Sequence, residues 1–148
     1  MAITYVKSDE LTVAAGATES IEVDLGLGID EAARIMAVEI ALRSDPAVFA
    51  GQLTGVYSFD PEDTVIDLAD DEQFIMSHMS PNFAGAAYGL VPSWVDYFDF
   101  SGLNLITARN LRFLVSSVIT VGVGVGRVFY EKYKPTITDL TQLIAQRR

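Results

Sequence analysis

Apolar and polar side chains alternate with a period of two along most of this chain, the spacing of strands with one face turned to a core. Leu11, Val13 and Ala15 alternate with Thr12 and Ala14, and beyond Gly16 the same pattern returns as Ile21, Val23 and Leu25 against Glu22 and Asp24. Gly26, Gly28 and Asp30 break the second strand, because glycine admits the positive φ that turns need. In residues 34–43 the period puts Met36, Val38, Ile40 and Leu42 on one face and Ile35, Ala37, Glu39, Ala41 and Arg43 on the other. A strand is predicted there; its Ala, Glu, Met, Leu and Arg content, with Asp30 as a cap, leaves a helix as the alternative.

Further strands are expected over Gly51–Phe59, Gln73–Ser80, Ala84–Leu90, Trp94–Phe100, Leu111–Ile119 and Gly126–Tyr133, with prolines 46, 61, 81, 92 and 135 between them. Some nine short segments at turn spacings predict an all-β fold, an antiparallel β-sandwich or jelly roll. One domain is expected over residues 1–148. Its end differs: Thr136 with Asp139 three residues on forms a near capping box, so a short helix is predicted over about 137–146. Ile137, Leu140, Leu143 and Ile144 share one helical face, with Gln142 and Gln146 elsewhere.

Charge adds a second pattern. Residues 1–100 hold 18 acidic and 3 basic side chains, residues 101–148 hold 7 basic and 2 acidic, and the whole chain has net charge −10. Such a balance argues against general binding to phosphate backbones, which depends on clustered Lys and Arg. The start of the chain does not read as a signal peptide. The apolar run from Phe113 to Val125 is interrupted by serine, threonine and glycine and is shorter than the roughly 20 residues of a spanning helix, so no transmembrane segment is expected.

Candidate chemistry thins out on inspection. The absence of cysteine removes disulfides and thiolate catalysis. Asp60 to Glu72 carries seven carboxylates in thirteen residues, a possible calcium loop whose spacing is wrong for an EF-hand, and a solvated acidic loop is the preferred reading. His78 is the sole histidine, with no Gly-x-Ser-x-Gly elbow to serve it. Gly122-Val123-Gly124-Val125-Gly126 lacks both the third glycine of a dinucleotide loop, where Arg127 stands, and the lysine of a Walker sequence. It suits a tight bend or close backbone packing. Trp94, Phe98 and Phe100 share strand parity and are expected to fill one sheet face, with sugar stacking as the alternative. No catalytic residue, cofactor or metal ligand is assigned, and an enzyme is not expected.

The loop Asp99-Phe100-Ser101-Gly102-Leu103-Asn104-Leu105-Ile106-Thr107-Ala108-Arg109-Asn110-Leu111, the late strand ending Arg127-Val128-Phe129-Tyr130-Glu131-Lys132-Tyr133 and the terminal helix together resemble small viral coat (capsid) proteins built on a single jelly roll. The likeness covers most of residues 10–146. It implies a structural virion protein that self-assembles into a capsid or shell lattice, with no catalytic residues to carry over. Its partners would be other copies of itself and other virion proteins, and its location the virion. The chain departs from RNA-packaging coats in its short, acidic N-terminus, which points to a shell over a membrane or over internal proteins. The expected subunit contacts are Arg109, Arg112, Arg127, Lys132, Lys134, Ile137, Leu140, Leu143, Ile144, Arg147 and Arg148, meeting the acidic surface of a neighbour. The alternative is a carbohydrate- or other ligand-binding β-sandwich, stabilised by calcium through the Asp60–Glu72 loop.

Overall fold

In the computed structural model, which describes residues 3–44, 51–80 and 93–146, the alternating segments become nine strands and one helix. They are β1 (Thr4–Val13), β2 (Thr18–Val23), β3 (Ala32–Ser44), β4 (Gln52–Ser58), β5 (Gln73–Met79), β6 (Ser93–Asp99), β7 (Ile106–Thr107), β8 (Leu111–Val118), β9 (Gly122–Tyr133) and α1 (Ile137–Gln146). The expected strand over Ala84–Leu90 lies outside the described residues. One sheet runs β1-β9-β3-β6, with the short β7 also on β3, and the other runs β2-β8-β4-β5. All pairs are antiparallel. The pairs β1·β9, β2·β8, β3·β6 and β4·β5 show the first half of the chain laid against the second half in reverse order. A long double ribbon rolled in this way into two facing sheets is a jelly roll.

The core lies between the sheets, where period-two patterning sends Val13, Val38, Ile40, Leu42 and Val128 from one side and Val23, Leu53, Tyr57, Phe113 and Val115 from the other. Segment 34–43 is a strand within β3, yet its faces differ from the simple alternation. A bulge between Ile35 and Ala37 shifts the register, so that Ile35 is fully buried and Met36, placed on the core face by parity, is only partly buried. One extra residue in a strand reverses the face of everything before it. β1 begins earlier than its apolar pattern, at Thr4, and Ala15 lies in the turn beyond it, where Gly16 takes a φ of 75°.

β9 also starts earlier than expected, at Gly122, and makes its glycine run structural. Gly122, Gly124 and Gly126 are buried on the inner face, beneath Leu53, Val115 and Tyr57 of the opposite sheet. A Cβ on Gly124 would stand 2.5 Å from Val115 Cγ2, and one on Gly122 would stand 2.5 Å from Leu53 Cδ2. Bare backbone on β9 thus makes room for large side chains on β4 and β8. The same packing shuts these amides away from any phosphate group.

β6 is an edge strand, and its location changes the role of its aromatics. Phe98 and Phe100 are partly buried, as their parity requires, but Trp94 is 50% exposed rather than part of the core. Among the described residues β6 pairs on one side only, with β3, from Arg43↔Ser93 to Ala37↔Asp99. The Trp94 indole N–H donates instead to Asp96 Oδ2 at 2.7 Å, and the Ser77 hydroxyl of β5 donates to the same oxygen at 2.5 Å. This bridge ties the two sheets together at their open edge.

Candidate functional site

Strand register brings three links to one end of the sandwich. Val23 pairs with Leu111, Ser58 with Arg112 and Ala32 with Tyr133, so residues 24–31, 59–72 and 100–110 leave from the same end, beside the start of α1. Tyr130 Oη donates to Leu25 O at 2.8 Å and Asn110 Oδ1 accepts from Leu25 N at 3.0 Å, pinning the first link to β9 and to the residue just before β8.

The acidic loop is built from short turns. Oδ1 of Asp60, Asp63, Asp67 and Asp70 accepts a backbone N–H two residues on, from Glu62, Val65, Ala69 and Glu72 respectively. Aspartate favours such turns because its carboxylate replaces a backbone acceptor. Gln73 fastens the loop from the start of β5, donating to Asp63 Oδ2 and to Val65 O while accepting from Asp67 N. Burial raises the Asp63 pKa, but hydrogen bonds from Gln73, Ser58 and the Val65 amide outweigh it and leave the carboxyl below its ordinary value. The part played by Gln73 was not visible in the sequence. The repeated Asp followed by a residue two positions on was the available signal for the turns. Among the described residues no three His, Cys, Asp or Glu side chains are grouped to hold a metal ion.

The expected contact residues fall into two groups. Arg109, Arg112, Lys132, Lys134 and α1 gather at the end just described, whereas Arg127 lies on the outer face of the β1-β9-β3-β6 sheet, in the row Ser8–Arg127–Glu39–Tyr97. Each of these five cations has a partner in its own chain. Arg109 Nη2 meets Glu72 Oε2 at 2.8 Å, Arg127 Nη1 meets Glu39 Oε1 at 2.6 Å, and Lys134 Nζ meets Asp30 Oδ2 at 3.1 Å. Arg112 donates to Ser20 Oγ and Pro61 O, and Lys132 to Gly26 O while lying over the Tyr5 ring. The acidic first hundred residues and the basic remainder therefore meet inside one molecule. Exposed pairs of this kind contribute at most about 1 kcal/mol each, so they order the surface more than they stabilise it. Arg147 and Arg148 lie outside the described residues.

The helix begins as the capping box required. Thr136 N and Oγ1 both donate to Asp139 Oδ2, and Asp139 N donates back to Thr136 Oγ1. The Thr136 amide hydrogen bond holds the Asp139 carboxyl below its ordinary pKa. Of the four apolar residues, Leu143 is buried, 6% exposed, while Ile137, Leu140 and Ile144 are 84%, 47% and 59% exposed. An apolar stripe on a ten-residue helix is thus uncovered. Such helices are marginal in water without a packing partner.

A second uncovered surface lies on the outer face of the β1-β9-β3-β6 sheet. Ala41, Val123, Val125, Val95 and Ser93 line a trough of about 340 Å³, together with Leu42, Trp94 and the charged Glu10 and Arg43. The side-chain rows are Glu10–Val125–Ala41–Val95 and Thr12–Val123–Arg43–Ser93. His78 is exposed on β5, its Nδ1 within 2.9 Å of Thr54 Oγ1. No helix of the described residues is long and apolar enough to cross a membrane.

No family model and no curated protein matches the chain. Its structural neighbours are viral capsid proteins. A chain of turnip yellow mosaic virus is similar at 12% identity and a TM-score of 0.44, over 95% of this chain and 86% of that one. A chain of desmodium yellow mottle tymovirus is similar at 8% identity and a TM-score of 0.40, over 88% of both chains. A chain from the heated full particle of Israeli acute paralysis virus is similar at 11% identity and a TM-score of 0.38, over 92% of this chain and 75% of that one. The jelly-roll assignment itself rests on the strand order.

Proposed function

We propose that this chain is a structural, non-enzymatic protein whose copies assemble into a shell, with the virion as its location. The observation that carries the reading is the apolar stripe of Ile137, Leu140 and Ile144 left uncovered on a jelly roll. A fold of this kind serves many functions, so the surface must decide. Contiguous apolar groups exposed on a domain mark a place where another surface packs. In this reading the stripe supplies the affinity, and Lys134, Arg147 and Arg148, which flank the helix in sequence, select orientation. Arg109, Arg112 and Lys132 act at the rim and Arg127 on the outer sheet face, each exchanging part of its in-chain bonding for acids of a neighbour, and Leu143 anchors the helix to its own body. Other virion proteins are the further partners. Size-exclusion chromatography with light scattering, across concentration and salt, tests this. Growth beyond the monomer is expected, and a strict monomer throughout would overturn it.

One observation favours a second reading, a carbohydrate-binding sandwich: the half-exposed Trp94 indole, held by Asp96 at the sheet edge. Glycan binding lost in Trp94→Ala with the fold intact would support it. An array that stays blank for the wild-type chain would remove it.

A further inference from the structure

Two apolar surfaces that no described residue fills lie far apart on the same chain. The trough residues Val123 and Val125 precede the last residue of β9, Tyr133, by eight to ten positions, a distance of roughly 26–33 Å along a strand. α1 follows Tyr133 and is ten residues long, so it spans only about 15 Å. It is held at its own end, where Leu143 is buried and the helix packs beside β7. A chain cannot fill its own trough with its own helix.

We propose that the trough on the outer sheet face receives α1 of a second copy of this chain, an inference that rests on the assembly reading above. Ile137, Leu140 and Ile144 lie at i, i+3 and i+7, the spacing with which one helix face enters an apolar groove. Small side chains make room for them: Ala41 of β3 stands between Val125 of β9 and Val95 of β6, with Val123 one row further on. Charge fits the same pairing. Arg43 and Glu10 are among the lining residues, while α1 carries Asp139 in its first turn and is followed in sequence by Arg147 and Arg148. Asp139 stays with Thr136 of its own chain, and the two arginines answer Glu10. A chain of net charge −10 repels its copies, and an apolar contact with opposite charges beside it is one through which copies can approach. Because helix and trough are different surfaces, the contact is head to tail. Every copy offers one helix and one trough, which extends the assembly or closes it as a ring.

The test uses two full-length variants. Leu140→Asp/Ile144→Asp removes the helix stripe and leaves the trough, and Ala41→Glu/Val95→Glu blocks the trough and leaves the helix. Thermal unfolding checks that both fold. Each alone is expected to raise the concentration at which assembly begins by about tenfold or more, and an equimolar mixture is expected to form a one-to-one pair that grows no further. If the wild-type chain assembles and the helix variant assembles equally well, or the mixture gains no pair, the inference is overturned while the assembly reading stands. A wild-type chain that stays monomeric overturns both. One that stays monomeric yet sediments with phosphatidylglycerol vesicles, and loses this in the helix variant, gives the stripe to a lipid surface instead. Should the trough variant misfold, the exposed Glu10→Lys replaces it: assembly is expected to weaken and to return with Arg147→Glu/Arg148→Glu, and an unchanged threshold in Glu10→Lys overturns the pairing.

Discussion

Gly124→Ala adds one methyl group to a close contact between the sheets. Its Cβ would lie 2.5 Å from Val115 Cγ2 and 3.2 Å from Cγ1, about 1 Å inside the best carbon–carbon separation. Overpacking of this size costs about 1–3 kcal/mol. Replacing a strand glycine by alanine returns about 0.5–1 kcal/mol through the unfolded chain. The net expectation is a loss of about 1–2 kcal/mol, a fall in Tm of about 2–8 °C for a chain of this size. Val115→Ala removes both γ carbons and leaves Val115 Cβ, 3.4 Å from the new methyl, as the nearest atom of that side chain. That variant alone should cost about 2 kcal/mol for its lost burial and the space left behind. In its background Gly124→Ala should cost nothing or stabilise. Differential scanning calorimetry on the four members of this cycle reads the coupling, expected to be about 1 kcal/mol or more. Strictly additive changes, or a Gly124→Ala chain as stable as wild type, would refute the argument that backbone bareness on β9 is what admits the side chains of the opposite sheet.

Two other outcomes follow from buried and capping groups. Asp9 is buried on the inner side of β1, opposite Gly126, and its Oδ2 has no hydrogen-bond partner among the described residues. Burial raises its pKa, and Lys7 at 3.8 Å offsets this in part. A carboxyl raised in the folded state binds its proton more tightly there than in the unfolded chain, so its contribution weakens as pH rises from the ordinary aspartate value through the raised one. Asp9→Asn should therefore raise Tm at pH 7 by about 2–4 °C, for about 1 kcal/mol regained, and the gain should shrink in acid; thermal melts from pH 3 to 8 check both. Thr136→Ala should cost about 1 kcal/mol of local helix stability, read as faster amide hydrogen exchange in α1 with the exchange of β9 unchanged.

Where parity applied to a regular strand between two sheets, the sequence showed the faces well. Val13 and Val23 are fully buried and Glu22 points out, as the alternation requires. Two departures have physical causes that no residue type announces. The bulge at Ile35/Ala37 moves Ile35 to the core and Met36 away from it, and Trp94 has inner parity but stands half exposed near the start of β6, bonded to Asp96 rather than packed in the core. β7, inside a segment read as loop, is only two residues long and gives no periodic signal. The glycine run could be read either as a tight bend or as close packing, and the structure shows close packing. Contact residues were legible as types rather than places. Composition marks Arg109 as basic, but only the register of β4 and β8 brings it 2.8 Å from Glu72, thirty-seven positions away. The stripe on α1 could be read in full, and its exposure could not, because exposure depends on what the rest of the chain fails to cover.

The central claim is assembly, and electron microscopy of the purified full-length chain in negative stain tests it most directly. The account expects closed shells or a regular lattice of uniform spacing, lost when Leu140→Asp/Ile144→Asp is introduced with the fold preserved. A field of dispersed single molecules at every concentration and salt, from a protein whose melting curve shows it folded, would contradict it.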